Sequence, residues 1–263
     1  MLPAHFADVQ AMAHTHRDAY ALGIHPLYVR QVSDDAPSAV AAALQAAIDD
    51  PLLVAVGEIG LDRWDRALLE PPLWQRQEGL YRSQLQLARQ HRLPVIVHAR
   101  RSVDWIAAGL RAAGAPGGIV HAFNGSAQQA KVLIDLGMAL GFGGACTFER
   151  ALQLRRLAQD LPLDALVLET DAPDIPPQWL YTRASERTPE RSSHRNEPGE
   201  LPAIARVIAQ LRGIDIDELA AATTANALRV LPRLALLAQE EVRANGAHLA
   251  QASQTTILQG AIT

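Results

Sequence analysis

Five of the six short apolar runs in this chain stop on an ionisable side chain. His25 closes YALGIHP, Glu58 closes LLVAVGE, His98 closes LPVIVH, His121 closes GGIVH and Asp171 closes ALVLETD, with MALGFGG as the sixth run. Runs that are apolar on successive residues belong to strands covered on both faces. Between them lie the amphipathic stretches APSAVAAALQAAI, PLWQRQEGLYRSQLQLARQH, SVDWIAAGLRAAG and SAQQAKVLIDLG. This alternation predicts an α/β fold with a parallel sheet, either a TIM-type (β/α) barrel or a doubly wound sheet. No Gly-x-Gly-x-x-Gly follows the first run, and the ionisable residues are spread along the strands rather than gathered at one switch point, which favours the barrel.

In a parallel barrel all carboxyl ends of strands meet on one face, where active sites are built. Desolvating an imidazole or carboxylate there without a partner costs several kcal/mol. Three histidines and two acids converging on one rim therefore predict a metal site. Nitrogen and carboxylate oxygen without sulfur suit zinc, manganese, iron, cobalt or, where carboxylates dominate, magnesium. Cys146 is the only cysteine, which rules out a disulfide within the chain and a multi-thiolate site and fits a reducing cytoplasm.

Several further residues are read with two alternatives. Arg100 and Arg101, directly after His98, are candidates for phosphate contact, with one of the pair expected to face a helix. Ser126 in FNGS opens a helix and could hold an anion or simply cap it. His14-Thr15-His16 has the spacing of a metal pair but falls at the end of a predicted helix, before the first strand, and is read as a solvated helix terminus.

The formal net charge is −4 with 49% hydrophobic residues, so the chain can bury a large core and offers no overall basic footprint for nucleic acid. Any such contact must come from a local patch. The N-terminus lacks the pattern of a signal peptide, and no run reaches the roughly 18 apolar residues of a membrane span. From Pro173 to about Gly199 a Pro-, Ser- and Arg-rich loop carries Arg183, Arg187, Arg191 and Arg195. The expected organisation is a barrel domain over 1–233 and a peripheral tail over 234–263.

YALGIHP, VAVGEIGLD, LPVIVHARRS, GIVHAFNGS, LGFGGACTFERA, LVLETDAPDIPP, RNEP and TTANALRVL, in that order, resemble the TatD family of metal-dependent deoxyribonucleases. The arginine pair after His98 and the DIPP ending are similar to its YjjV-like subgroup. The resemblance implies a (β/α)8 barrel of the amidohydrolase superfamily that cleaves phosphodiester bonds with two divalent cations (magnesium, manganese or zinc), DNA being the leading substrate. It implies Glu58, His98, His121 and Asp171 as metal ligands, Glu58 bridging and Asp171 also handling the attacking water. It further implies His25 and Arg195 at the substrate, beside Arg100 and Ser126. The family's opening strand with His-x-His and the strand after it have no counterpart, so six of eight strands are expected, leaving two sheet edges exposed. An upstream start of the reading frame is the favoured explanation. Two other functions stay open: an esterase on aminoacyl-tRNA using the same ions, and a non-catalytic metal-binding remnant or interaction protein.

Overall fold

A computed structural model describes residues 1–183, 186, 188 and 195–239. The six apolar runs form six strands: β1 (Tyr20–Leu22), β2 (Leu53–Asp62), β3 (Val95–Arg100), β4 (Gly118–His121), β5 (Met138–Phe142) and β6 (Leu166–Leu168). Each is parallel to the next, and they line up in chain order. Helices return the chain between strands: α1 (Phe6–His16) leads in, followed by α2 (Ala36–Ala47), α3 (Pro71–His91), α4 (Val103–Ala113), α5 (Ala127–Asp135) and α6 (Leu152–Asp160). After β6 come α7 (Leu201–Arg212) and α8 (Ile216–Val230). Among the described residues β1 and β6 each pair on one side only, so the sheet is an open arc of a barrel.

Alternation along the strands sorts the side chains into two layers. Val95, Val97, Val120, Leu140 and Leu166 belong to the large core against the helices. Ala55, Ile96, Ile119, Ala139 and Val167 form a second, smaller cluster with Val230 and Leu231. Leu234 and Leu237, on a helical segment over 232–239, pack against the same cluster. The Arg233 guanidinium donates through Nη1 to the carbonyls of Asp50 and Leu53 at the amino ends of the strands. The chain thus covers apolar surface that an open barrel would otherwise expose. The remainder of the tail, from 240, lies outside the described residues, as do Arg187 and Arg191.

Strand ends differ from the sequence expectation at all the predicted terminal residues except His121, β3 also running two residues past His98 to Arg100. Glu58 does not close β2: the strand runs on to Asp62, and Glu58 falls where the pairing jumps from Gly57↔Ile96 to Ile59↔Val97. The extra residue of such a bulge is re-aimed out of the ladder. His25 and Asp171 lie three residues beyond the last paired residues of β1 and β6, in the loops that leave the sheet.

Two buried glutamines of α3 fix the starts of the loops after β1 and β2. Gln84 accepts from the Ile24 N–H at 2.6 Å and donates back to the Ile24 carbonyl, immediately before His25. Gln77, two helical turns earlier on the same face, holds the N–H and carbonyl of Asp62 in the same way. Each amide matches one donor to one acceptor of a single backbone residue, which satisfies groups that would be costly to bury alone.

Candidate metal centre

His98 and His121 are direct neighbours in the β3–β4 register, and both follow the inner-face residues Ile96 and Ile119 by two positions. Each ring is gripped from both sides. His98 Nε2 lies 3.0 Å from Asp62 Oδ2, and its Nδ1 lies 3.1 Å from Glu58 Oε1. His121 Nδ1 lies 2.8 Å from Glu169 Oε2, and its Nε2 lies 2.9 Å from Asp171 Oδ1.

The two carboxylates on each ring are not equivalent. Asp62 is fully buried, with its other oxygen accepting the Trp64 N–H at 2.7 Å. Glu169 likewise spends Oε1 on the Ala122 N–H at 2.7 Å. Gly141 on β5 makes room for it, because a Cβ there would overlap the Glu169 carboxylate. Asp62 and Glu169 are therefore anchored acceptors that fix one ring nitrogen of each histidine. Glu58 and Asp171 face the other nitrogen from the more open side. A histidine held by a carboxylate through one nitrogen while the other faces a ligand position is the usual support of a metal-bound imidazole.

The donor set passes a simple fit test. Donor atoms on one ion at about 2.1 Å stand roughly 3.0 Å apart at a right angle and roughly 3.4 Å apart at the tetrahedral angle. The Glu58–His98 and His121–Asp171 separations of 3.1 and 2.9 Å fall at this spacing. Nitrogen and carboxylate donors without sulfur suit a divalent cation such as zinc, manganese or magnesium.

Charges within the cluster are strongly interdependent. Burial alone would raise the Glu58 carboxyl, but hydrogen bonds from His25 and His98 and the charge of His121 outweigh it and hold the group well below the usual range. Burial alone would lower His121, yet Asp171 and Glu169 push its imidazolium up to about 11. His98 is raised for the same reason, burial being overcome by Asp62 and Glu58. The flanking acids thus favour the cationic form of both rings.

His25 joins the cluster in a different role. Its Nε2 approaches His98 Nδ1 at 3.1 Å and Glu58 Oε1 at 3.4 Å, so donor atoms of these three residues all lie within 4.8 Å of one another. However, Nδ1 of His25 accepts the Leu27 N–H at 3.2 Å. A neutral ring that accepts at Nδ1 keeps its proton at Nε2. Burial keeps this ring neutral, lowering its pKa against the pull of Glu58. His25 Nε2 is accordingly a hydrogen-bond donor aimed into the site rather than a lone pair.

The other sequence candidates are distributed around this rim. Arg100 is exposed at the end of β3, two residues beyond His98. Ser126 caps α5, accepting the Gln129 N–H while the Gln129 side chain accepts the Ser126 N–H. Arg195 is exposed, but its neighbour Asn196 is buried and donates to the carbonyls of Thr170 and Asp174. Asn196 therefore ties down both sides of the turn that carries Asp171, whose φ of 59° is left-handed. His14 sits at the opposite end of the sheet, 2.8 Å from Asp50, in a network with Tyr20, and His16 is exposed. Asp62, Glu169, Asn196, Gln77 and Gln84 had no assigned role in the sequence. Asp62 and Glu169 could have been found from their spacing, four residues after Glu58 and two before Asp171.

A family model described as TatD related DNase matches residues 1–232. An uncharacterized metal-dependent hydrolase of Haemophilus influenzae is 41% identical over 209 residues, covering 75% of this chain and 78% of the relative. The 3'-5' ssDNA/RNA exonuclease TatD of Salmonella typhimurium is 38% identical, covering 78% of this chain and 74% of that protein. The crystal structure of YjjV, a TatD homolog from Escherichia coli, superposes with a TM-score of 0.76 at 36% identity, covering 88% of this chain and 83% of that one. The open arc of six strands thus corresponds to part of the barrel of this group. With a family model matching residues 1–232 and relatives 36% to 41% identical over most of its length, the chain belongs to the TatD family of metal-dependent hydrolases.

Proposed function

We propose that this chain is a divalent-metal-dependent phosphodiesterase acting on single-stranded nucleic acid, DNA first, as an exonuclease. The observation that carries this reading is the pair of carboxylate–imidazole–carboxylate chains, Asp62–His98–Glu58 and Glu169–His121–Asp171, side by side on one rim. Glu58, His98, His121 and Asp171 would hold two cations, magnesium, manganese or zinc. When bound, such ions lower the pKa of water and stabilise charge that develops on a phosphoryl group.

The chain's own residues divide the remaining work. Asp171, partly open to solvent, takes the proton of the attacking water at a carboxylate oxygen. His25 donates from Nε2 to a phosphate oxygen, with its proton fixed there by the Leu27 contact. Arg100 and Arg195 supply cationic contacts to phosphate, and the Ser126 hydroxyl, though accepting from the helix backbone, still has its own hydrogen to donate. The similarity to the Salmonella exonuclease supports the substrate class.

The test is cleavage of a single-stranded oligodeoxynucleotide by the full chain with magnesium, manganese or zinc, beside Glu58→Gln and an aminoacyl ester substrate. Stepwise release of mononucleotides, reduced at least about 100-fold in Glu58→Gln, is expected, since metal-site and charge-stabilising groups each account for losses of this order. A folded, metal-loaded protein that leaves the oligonucleotide intact overturns the proposal.

A further inference from the structure

Trp64 is an exposed tryptophan, 52% accessible, in the loop directly after β2. Two guanidiniums lie over its indole: Arg100 with its Cζ 4.5 Å from the ring centroid, and Arg101 with its Cζ 4.1 Å away. Consecutive residues of a strand point to opposite faces, so Arg100 and Arg101 would ordinarily part company. Arg101 instead takes a left-handed φ of 55° as β3 ends, and both side chains reach the same ring. The sequence expectation that one of the pair faces a helix is therefore corrected.

Among the described residues neither arginine forms an ion pair with a carboxylate. A guanidinium stacked on an aromatic face keeps its in-plane N–H groups available, and these match the oxygens of a phosphate. Arg63 provides a contrast within the same loop. It too lies over aromatic rings, 3.8 Å from the centroid of Trp105 and 5.4 Å from that of Trp74, but its Nε is buried without a partner. The inner cation–aromatic contact is packing; the outer one displays its donors to solvent.

The outer cluster is also tied to the metal centre. The Trp64 N–H donates to Asp62 Oδ1, and Asp62 Oδ2 holds His98. The Arg63 N–H donates to the Arg100 carbonyl at 2.9 Å, joining the loop to β3. In a chain of net charge −4, two unpaired cations on an exposed indole at this rim form a local site for an anion that carries an aromatic ring.

We propose that Trp64, Arg100 and Arg101 form a clasp for a non-scissile nucleotide of a single-stranded polynucleotide, the arginines taking its phosphate and Trp64 stacking its base. This rests on the phosphodiesterase reading for the substrate class, but its binding test is independent of cleavage. Aromatic platforms beside cationic groups are the general means of holding single strands without sequence preference.

The test measures binding of a fluorescein-labelled octathymidylate to the full chain in EDTA by anisotropy, across a salt series. The double variant Arg100→Gln/Arg101→Gln should bind about tenfold more weakly, and the dependence of log Kd on log salt should become shallower by about 0.7, the value for one lost phosphate on a single strand. Trp64→Ala should also lose about tenfold while Trp64→Phe recovers much of it, a rescue that a purely structural role would not give. Matching far-ultraviolet spectra and melting curves verify folding, and Arg101→Gln alone, at an exposed residue, should still lower the salt slope. Octamer binding that is equal in wild type and these variants, or absent in wild type, overturns the clasp. Binding that follows the predicted pattern with no cleavage under any metal would uphold the clasp and overturn the proposed hydrolysis instead.

Discussion

Asp62→Asn replaces one buried oxygen by an amide nitrogen and should disable the proposed metal ligand His98 through the nitrogen that Asp62 itself does not face. In the wild type the Asp62 carboxylate can only accept, so His98 Nε2 must carry a hydrogen and Nδ1 is the nitrogen left for a cation. In the asparagine variant the amide oxygen would keep the Trp64 N–H, an obligatory donor at 2.7 Å, which turns the amide NH2 toward His98. Nε2 must then accept, the ring proton moves to Nδ1, and the lone pair facing Glu58 is gone. Loss of such a supporting carboxylate typically weakens metal binding 10- to 100-fold, or about 1.4–2.7 kcal/mol, and the forced tautomer places this case near the upper end. Asp62→Ala supplies the control. It leaves Nε2 unconstrained, so metal binding should fall less than in the asparagine variant, whereas the unpaired Trp64 N–H should cost about 1–3 kcal/mol of stability that asparagine spares. Metal affinity from calorimetry with a competing chelator, and unfolding in EDTA, should rank the two variants in opposite orders. If alanine weakens metal binding as much as asparagine or more, the tautomer argument is wrong.

Because His121 is pushed up to about 11 while an unfolded histidine titrates near 6.5, the metal-free fold gains stability from the imidazolium that is complete below about 6.5 and is lost as the pH rises through about 11. Metal loading must expel that proton, so calorimetry at pH 7 and 8 in buffers of different ionisation heat should show at least one proton released and affinity rising with pH; no release would refute the protonated pair. On the inner face, Leu234→Ala with Leu237→Ala removes part of the packing against the smaller core cluster that includes Ala139, Val167 and Val230. At about 2–3 kcal/mol for two partly buried leucines, the melting temperature should fall by about 5–10 °C, and a shift under about 2 °C would show that the segment adds nothing to the fold.

Much of this was legible before any coordinates because parallel strands leave strong marks. Continuous apolar runs separated by amphipathic stretches fix strand number and polarity, and polar residues just past each run fall on one rim by topology alone. What could not be read was which partner each polar residue takes. Glu58 was expected at a strand end, but a bulge decides where it points, and bulges depend on the register with β3 rather than on local composition. Arg100 and Arg101 looked like residues that must diverge, because the alternation rule assumes the strand continues; one left-handed residue reverses the conclusion. RNEP drew attention to its charge, Arg195, whereas Asn196 is the residue the turn around Asp171 is built on.

Asp62 and Glu169 show how geometry divides four neighbouring acids between two tasks. Each lies close in sequence to an acid that faces the open side of the site, so the chain reads as two acidic clusters, Glu58 with Asp62 and Glu169 with Asp171. Geometry separates them: the buried member of each pair spends one oxygen on a backbone N–H and the other on a histidine, and only the second member remains to face an ion. The centre is then a mixed imidazole and carboxylate site, in which His98 and His121, both raised by their flanking acids, offset part of the negative charge when protonated. A cation entering such a site exchanges with protons, not with protein side chains, so the supporting carboxylates and the strand register can stay fixed while the site is filled.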